Sequence, residues 1–152
     1  MKTSNAWSHP TALPPAEVLR LPHRPDSVTV ARRTLRAALG RMGLAEPIID
    51  DAEVVVSELL GNAVRHARAI AGGVLVLGWQ LRGGQLQVRV TDGGSGRVVE
   101  AQEPSLTAVS GRGLHIVERL SECWGVNDHA GGLRTVWAAL SLDRTPALRL
   151  VR

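Results

Sequence analysis

The chain has 152 residues, of which 44% are hydrophobic and 21% charged, a composition typical of one globular domain. Its single cysteine, Cys123, excludes an internal disulfide and a multi-cysteine zinc site, and no apolar run approaches the roughly 18 residues of a membrane span. The net charge of +4 comes from scattered arginines without interleaved aromatic residues, so we expect no direct contact with nucleic acid.

The N-terminal segment, residues 1–16, contains three prolines and no hydrophobic periodicity, which predicts a flexible leader. It lacks the apolar stretch of a signal peptide, so we expect a cytoplasmic protein with no membrane association. Residues 17–22 are predicted to form a short edge strand that Pro22 and Pro25 terminate. No structural role is predicted for the tail, residues 143–152.

Two amphipathic helices are predicted next. The first begins at Asp26 or Ser27, either of which can cap it, and Gly40 and Gly43 end it. The second runs over about residues 47–67, with proline in its first turn and acidic residues near the positive end of the helix dipole. Apolar residues at helical spacing mark the buried faces, namely Val28, Ala31, Leu35, Ala38 and Leu39, then Ala52, Val55, Val56, Leu59, Leu60, Ala63, Val64 and Ala67.

The hydrophobic period changes from helical to alternating after Gly72-Gly73. Residues 75–81 and 86–90 are predicted to form a hairpin around Gly83-Gly84, and residues 124–128 and 133–142 a second hairpin around Gly131-Gly132. A third helix is predicted between them over 113–122, with Cys123 at its end.

This order of elements predicts one domain over residues 17–142. Hairpins rather than crossovers join the later strands, and the helices are amphipathic. We therefore expect an α+β fold, a two-layer α/β sandwich whose mixed, mostly antiparallel sheet is covered by helices on one face.

Glu58 and Asn62 are the first candidate functional residues. They lie four apart on the second helix, so their side chains project from one face. The asparagine oxygen is a hard ligand suited to Mg²⁺, and the glutamate can accept a proton from an attacking water or hydroxyl. The same spacing is also typical of two solvated residues on a helix surface.

A second candidate site follows the strand that ends near Val90. There Asp92 leads into a glycine-rich segment, residues 93–96. The carboxylate can accept a hydrogen bond from an amino group such as that of adenine, and glycines let the backbone approach a flat ligand. The alternative is an ordinary turn at the end of a strand.

A third candidate is Gly111-Arg112-Gly113, predicted to open the third helix. Free backbone N–H groups at a helix N-terminus bind phosphate, and the helix dipole reinforces them. One Gly-x-Gly is weak evidence in a chain with 16 glycines. The segment also fails the dinucleotide-binding fingerprint, and the chain has no P-loop.

The order of these motifs resembles a known family. The resemblance is to the N, G1 and G2 boxes of the Bergerat-fold (GHKL) ATPases and covers about residues 17–142. The chain is most similar to the small anti-sigma-factor serine kinases, whose N box has the cadence Glu-Leu-x-x-Asn-Ala-x-x-His-Ala. Sensor histidine kinases share the boxes but carry an upstream phospho-accepting hairpin, for which we expect no room here. The matching residues are Glu58, Asn62, Asp92, Gly94, Gly96, Gly111 and Gly113, with His66 and Ala67 completing the N box.

The resemblance implies a role for each residue. Glu58 would be the general base, and Asn62 the ligand of Mg²⁺. Asp92 would bind the adenine amino group with support from Thr135, and Gly94 and Gly96 would line the adenine side. Residues 97–110 would form a flexible lid, and Arg32 would face a protein partner. Phosphate contacts are implied for the backbone of Gly111, Gly113, Leu114 and His115 and for the Arg112 side chain.

The resemblance also implies an activity and its partners. We expect an ATP- and Mg²⁺-dependent serine/threonine-protein kinase that phosphorylates an anti-anti-sigma (STAS-type) protein and sequesters a sigma factor. Members of the family pair as homodimers, so a homodimer is expected. The alternative is a non-catalytic module in which bound ATP only stabilises or switches protein–protein binding. Glu58 favours the enzyme, because a binding-only site does not need a base there.

Overall fold

The computed structural model describes residues 17–95 and 108–143. The predicted leader, Gly96, most of the predicted lid and the tail from residue 144 lie outside these ranges. The elements in chain order are β1 (Glu17–Pro22), α1 (Ser27–Arg41), α2 (Glu46–His66), β2 (Val74–Arg82), β3 (Gln85–Asp92), α3 (Ala108–Leu120), β4 (Cys123–Asp128), a 3₁₀ turn (Ala130–Gly132) and β5 (Arg134–Ser141).

The sheet has five strands in the order β1-β2-β3-β5-β4, and every pairing among the described strands is antiparallel. The predicted hairpin has the register that the alternation requires, with Leu77 opposite Val90 and Trp79 opposite Val88. Gly83 and Gly84 form its turn with φ values of 56° and 75°. Two consecutive positive φ values match the twist of the flanking strands, and glycine adopts them without steric cost.

All three helices cover one face of the sheet, as the amphipathic patterns predict. The core between the two layers contains apolar side chains of α1, α2, β2, β3 and β5 together with Val117 of α3. α2 is the central helix, because it contacts α1, α3, β3 and β5. The α+β prediction is confirmed. In the ranges described, no helix is both long and apolar enough to cross a membrane.

The opposite face of the sheet is also partly buried. Trp137 and Ala139 of β5 are buried here, outside the helix-covered core, and Gln80 donates to Gln87 at 2.9 Å. Gly78 leaves room for the Arg89 side chain, whose Nε would lie only 2.8 Å from a Cβ at position 78. Burial lowers the pKa of Arg89. Because successive side chains alternate between faces, the residues of each strand divide cleanly between this face and the core.

Two sequence predictions are wrong in this region. α3 begins at Ala108 and ends at Leu120, whereas the prediction was 113–122. Cys123 is the first residue of β4, opposite Ala139, and not a helix end. The physical reason is that the Glu122 N–H already donates to the Ala139 carbonyl at 2.8 Å, so the chain has joined the sheet by that point.

Arg36 joins α1 to α2 through three acidic side chains. Its Nε donates to Glu53 at 2.7 Å and its Nη1 to Glu46 at 2.8 Å, while Nη2 donates to Asp50. These carboxylates, Glu53 foremost, raise the pKa of Arg36. One guanidinium therefore binds three carboxylates on one side of α2.

Replacing Arg36 with alanine is expected to lower the thermal midpoint by a few degrees in low salt. Glu46 and Asp50 are solvent-exposed, so salt should screen their contacts with Arg36. The difference in thermal midpoint between variant and wild type should therefore narrow in 1 M NaCl, where the Debye length is about 3 Å. Calorimetry at both salt concentrations measures this. Arg33→Ala, on the exposed side of the same helix, is the matched control. Equal midpoints for the two variants at low salt would contradict a stabilising network.

Candidate functional site

The α2 side of the site contains Glu58 and Asn62, half-buried beside the apolar face that packs on the sheet. The Asn62 Oδ1 accepts a hydrogen bond from Arg65 Nη2 at 3.1 Å. The Arg65 guanidinium lies over Gly61, where a Cβ would be 3.1 Å from its Nη1. Within the described ranges, no ion pair or hydrogen bond engages the Glu58 carboxylate. Its oxygens are therefore available to a proton donor.

The β3 side of the site contains Asp92, the last residue of the strand. Side chains two residues apart on a strand share a face, so the Asp92 side chain lies on the same helix-covered face as those of Val88 and Val90. Only 4% of Asp92 is exposed. One carboxylate oxygen, Oδ1, accepts the Gly94 N–H at 2.6 Å. Burial raises the pKa of Asp92, although this hydrogen bond and the Arg134 charge act in the opposite direction. Among the described residues the other oxygen has no hydrogen-bond donor.

The glycine loop after Asp92 is held against the chain that leaves α2. Gly93 N–H donates to the Arg68 carbonyl at 2.7 Å, and Arg68 N–H donates to the Gly94 carbonyl at 2.8 Å. A Cβ at Gly93 would lie 2.3 Å from the Ala69 carbonyl oxygen, so no larger residue fits. At Gly94, where φ is +78°, a Cβ would lie 2.5 Å from the Gly132 oxygen. The loop therefore fixes Asp92 relative to the end of α2.

The structure does not bring Thr135 to Asp92 as the resemblance implied. Thr135 lies opposite Thr91 in the β3–β5 pairing, and its hydroxyl is 2.8 Å from Thr91 Oγ1 and 2.9 Å from His129 Nε2. Its side chain is therefore on the sheet face away from the helices. The residue opposite Asp92 is Arg134, whose Nε donates to Asp128 at 2.9 Å. Val136 faces the helices, and side chains two residues apart on a strand share a face. The sequence alone could therefore have placed Arg134 on the same face as Asp92.

The glycines of the third motif lie inside α3 and do not open it. α3 begins at Ala108, so the unpaired N–H groups within its first turn belong to residues 108–110. Gly111 is the first residue whose N–H lies within the helical hydrogen-bond pattern, and Gly113, Leu114 and His115 follow it. The predicted start is wrong because a glycine in a helix costs only about 1 kcal/mol relative to alanine, so the helix extends upstream through it. The Arg112 side chain lies outside the described part of the structure.

The residues of the candidate site come from three elements. The end of α2 contributes an amide oxygen and a carboxylate without a partner in the described ranges, the loop after β3 a buried acceptor, and the start of α3 unpaired N–H groups. Gly93 and Arg68, which the sequence did not single out, connect two of these elements. Such a donor and acceptor set fits a ligand with a flat amino-bearing base at one end and phosphate at the other.

A comparison with protein families matches residues 21–139 to the family described as the histidine kinase-like ATPase domain. The matched segment includes every element that contributes to the site.

The chain is also similar to curated proteins and to a solved structure. It is 29% identical over 125 residues to the serine-protein kinase RsbW of Bacillus subtilis (strain 168), covering 74% of this chain and 78% of that protein. It is 27% identical over 116 residues to the serine-protein kinase RsbW of Listeria innocua, covering 68% of this chain and 74% of that protein. The crystal structure of the RsbU and RsbW domains of Rv1364c from Mycobacterium tuberculosis superimposes with a TM-score of 0.66 at 24% identity. That match covers 88% of this chain and 34% of the mycobacterial chain, and it supports the fold.

Proposed function

Since this chain belongs to the histidine kinase-like ATPase domain family, we propose that it binds ATP with Mg²⁺ and phosphorylates a serine of a protein partner. The observation that supports ATP binding best is the Asp92 carboxylate, which is 4% exposed and accepts one hydrogen bond from its own loop. Burying a carboxylate is costly unless its acceptor sites are used. In this proposal the second oxygen accepts the exocyclic amino group of adenine, and Gly94 and Gly96 line the base.

Asn62 is proposed as the protein ligand of Mg²⁺. Mg²⁺ is commonly held by one or two protein oxygens together with water and substrate phosphates, so a single amide oxygen suits it. Among the described residues no group of three or more His, Cys, Asp or Glu forms an alternative metal site. When bound, the ion would neutralise charge on the phosphates. Further phosphate contacts are proposed for the unpaired N–H groups at the start of α3 and for the Arg112 side chain, whereas the N–H groups of Gly111, Gly113, Leu114 and His115 are used by the helix itself.

Glu58 is the proposed catalytic base. Its carboxylate would accept the proton of a partner's serine hydroxyl as the serine oxygen bonds to the γ-phosphorus of ATP. The bond from that phosphorus to the β–γ bridging oxygen would break, and ADP would leave with the electron pair. In the described part of the chain no ion pair or hydrogen bond occupies this carboxylate, which supports the role because its oxygens can then accept a proton.

The proposed partners are an anti-anti-sigma (STAS-type) protein as the phosphate acceptor and a sigma factor as the sequestered protein. The similarity to serine-protein kinases supports a serine acceptor. A regulator of this kind would act in the cytoplasm, and we propose that it does so as a homodimer.

A non-catalytic ATP-binding module is the second candidate. One contact favours it: the Asn62 oxygen already accepts a hydrogen bond from the Arg65 guanidinium. Mg²⁺ would have to displace this cation. In a module of this class, ATP would change partner affinity without any transfer of the phosphoryl group.

A pull-down from the host's own cytoplasm tests both candidates. With ATP and Mg²⁺ we expect the chain to retain a serine-bearing partner that becomes labelled from γ-labelled ATP. Retention should change when ATP is replaced by ADP or when Mg²⁺ is chelated, because the nucleotide would complete the binding surface. Nucleotide-dependent retention with no labelling of any partner would favour the module. Partner retention that does not depend on the nucleotide would contradict both the kinase and the module.

A further inference from the structure

His23 lies in the loop between β1 and α1, far in sequence from the residues of the site, yet it contacts the end of α2. Its Nε2 is 2.9 Å from the Ala67 carbonyl oxygen and 3.2 Å from the Ala63 carbonyl oxygen. Both partners are acceptors, so Nε2 carries the proton and donates to both. The His23 backbone is fixed as well, because its N–H donates to the Gly73 carbonyl at 3.0 Å.

This contact adds a side-chain donor at a helix end that lacks the usual left-handed cap residue. α2 ends at His66, and the next residue, Ala67, is extended (φ −112°, ψ 161°) and not left-handed. The Ala63 carbonyl already accepts the Ala67 N–H at 3.0 Å, so His23 adds a second donor there and supplies a donor to the Ala67 carbonyl just beyond the helix. His23 therefore fixes the direction in which the chain leaves α2.

The chain that leaves α2 is the same segment that holds the glycine loop. Arg68 exchanges two backbone hydrogen bonds with Gly93 and Gly94, and the Gly94 N–H donates to Asp92. Hydrogen bonds joined by short stretches of backbone thus connect His23, through the end of α2, to the Asp92 carboxylate. The residues involved span positions 23 to 94, which no local sequence pattern connects.

We infer that His23 is a positioning residue for nucleotide recognition, which holds the Gly93–Gly94 backbone and the Asp92 carboxylate in place through the end of α2. The inference rests on the proposed function, in which Asp92 binds adenine. A purely structural cap would stabilise the fold without any specific coupling to Asp92. The two roles therefore predict different effects of His23 substitutions on the affinity for Mg²⁺–ATP, depending on whether Asp92 is present or has been replaced.

Variants of His23 that differ in side-chain length and in the presence of an N–H donor distinguish these two roles. Glutamine places an amide N–H donor the same number of bonds from Cα as Nε2, whereas asparagine is one bond shorter and leucine has no donor. We expect His23→Leu and His23→Asn to raise the Kd of Mg²⁺–ATP about tenfold, the range of a typical coupling between sites, and His23→Gln to restore it. Calorimetric titration with Mg²⁺–ATP measures each Kd. The Asn variant keeps a polar side chain, so the comparison survives if the Leu variant fails to fold.

Ser27→Ala is the matched control. The Ser27 hydroxyl anchors the same loop by donating to the Pro22 carbonyl, and not to a carbonyl at the end of α2. We expect this variant to leave the Kd of Mg²⁺–ATP near the wild-type value. Amide hydrogen exchange at Arg68 and Gly93 should accelerate in His23→Asn and not in Ser27→Ala.

A double-mutant cycle with Asp92→Asn gives the decisive result. If His23 acts through Asp92, then His23→Asn should change the Kd by less than about twofold once Asp92 is replaced, because the coupled pair is already broken. A tenfold loss in both backgrounds, or equal affinities of the His23→Asn and His23→Gln variants, would overturn the inference. The Asp92→Asn arm alone tests the adenine assignment, so failure of the proposed function is distinguishable from failure of this inference.

Discussion

Replacing Asp92 with asparagine is expected to weaken ATP binding by about 1–3 kcal/mol, the cost of leaving a buried hydrogen-bonding group unsatisfied. The asparagine oxygen can still accept the Gly94 N–H, which fixes the side chain as it does in the wild type. The amide NH₂ then takes the position of the second carboxylate oxygen. There it would meet the exocyclic amino group of adenine donor to donor. Titration with Mg²⁺–ATP measures the loss, and an unchanged Kd would contradict the adenine assignment.

The same substitution should not destabilise the protein without nucleotide. Burial raises the pKa of Asp92 in the folded state, so folding carries a cost that grows as pH rises from the unfolded-state pKa through the folded one. Asparagine has no such cost. The thermal midpoint of the variant relative to the wild type should therefore increase between acidic and neutral pH. Asp143→Asn, an exposed acid just beyond β5 that does not contribute to the pKa shift of Asp92, is the control and should leave both the affinity and this pH dependence close to the wild type.

Much of this fold is predictable from local periodicity. The alternation of Leu77, Trp79 and Leu81 faces that of Leu86, Val88 and Val90 across two glycines, and the structure has the register that this requires. The alternation continues to Asp92, which is why its direction toward the helices follows from the sequence. Glu58 and Asn62 share a helix face for the same kind of reason, since a helix repeats every 3.6 residues.

The contacts between distant segments are less predictable. Thr135 was assigned to the site by resemblance, but a shift of one residue in a strand moves a side chain to the other face, and Arg134 is the residue opposite Asp92. The predicted start of α3 is wrong because a glycine destabilises a helix only slightly, so Gly111 and Gly113 do not mark where the helix begins. His23 has no local signature at all, because its partners Ala63 and Ala67 contribute only backbone carbonyls, which any residue type supplies.

Replacing Glu58 with glutamine is expected to abolish phosphoryl transfer while largely preserving the affinity for Mg²⁺–ATP. General-base catalysis contributes about 10²–10⁴-fold, so the single-turnover rate should fall by at least the lower figure. Glutamine has nearly the same shape but accepts a proton poorly. Because no described residue forms an ion pair or hydrogen bond with the Glu58 carboxylate, removing its charge should leave the fold and the adenine contacts intact. Transfer from labelled ATP to the partner's serine, measured alongside the Kd of Mg²⁺–ATP, separates chemistry from binding.

The control for this substitution is Glu118→Gln on the exposed side of α3, which removes one negative charge without changing the proposed base. It should transfer phosphate at the wild-type rate. A Glu58→Gln variant that also transfers at the wild-type rate would exclude Glu58 as the base, whatever its effect on binding. If the wild type itself transfers nothing to any serine-bearing partner it retains, the kinase proposal is wrong. The Glu58 carboxylate, which has no partner in the part of the chain that the structure describes, would then need another explanation, and ATP would act on this chain as a ligand that switches protein binding.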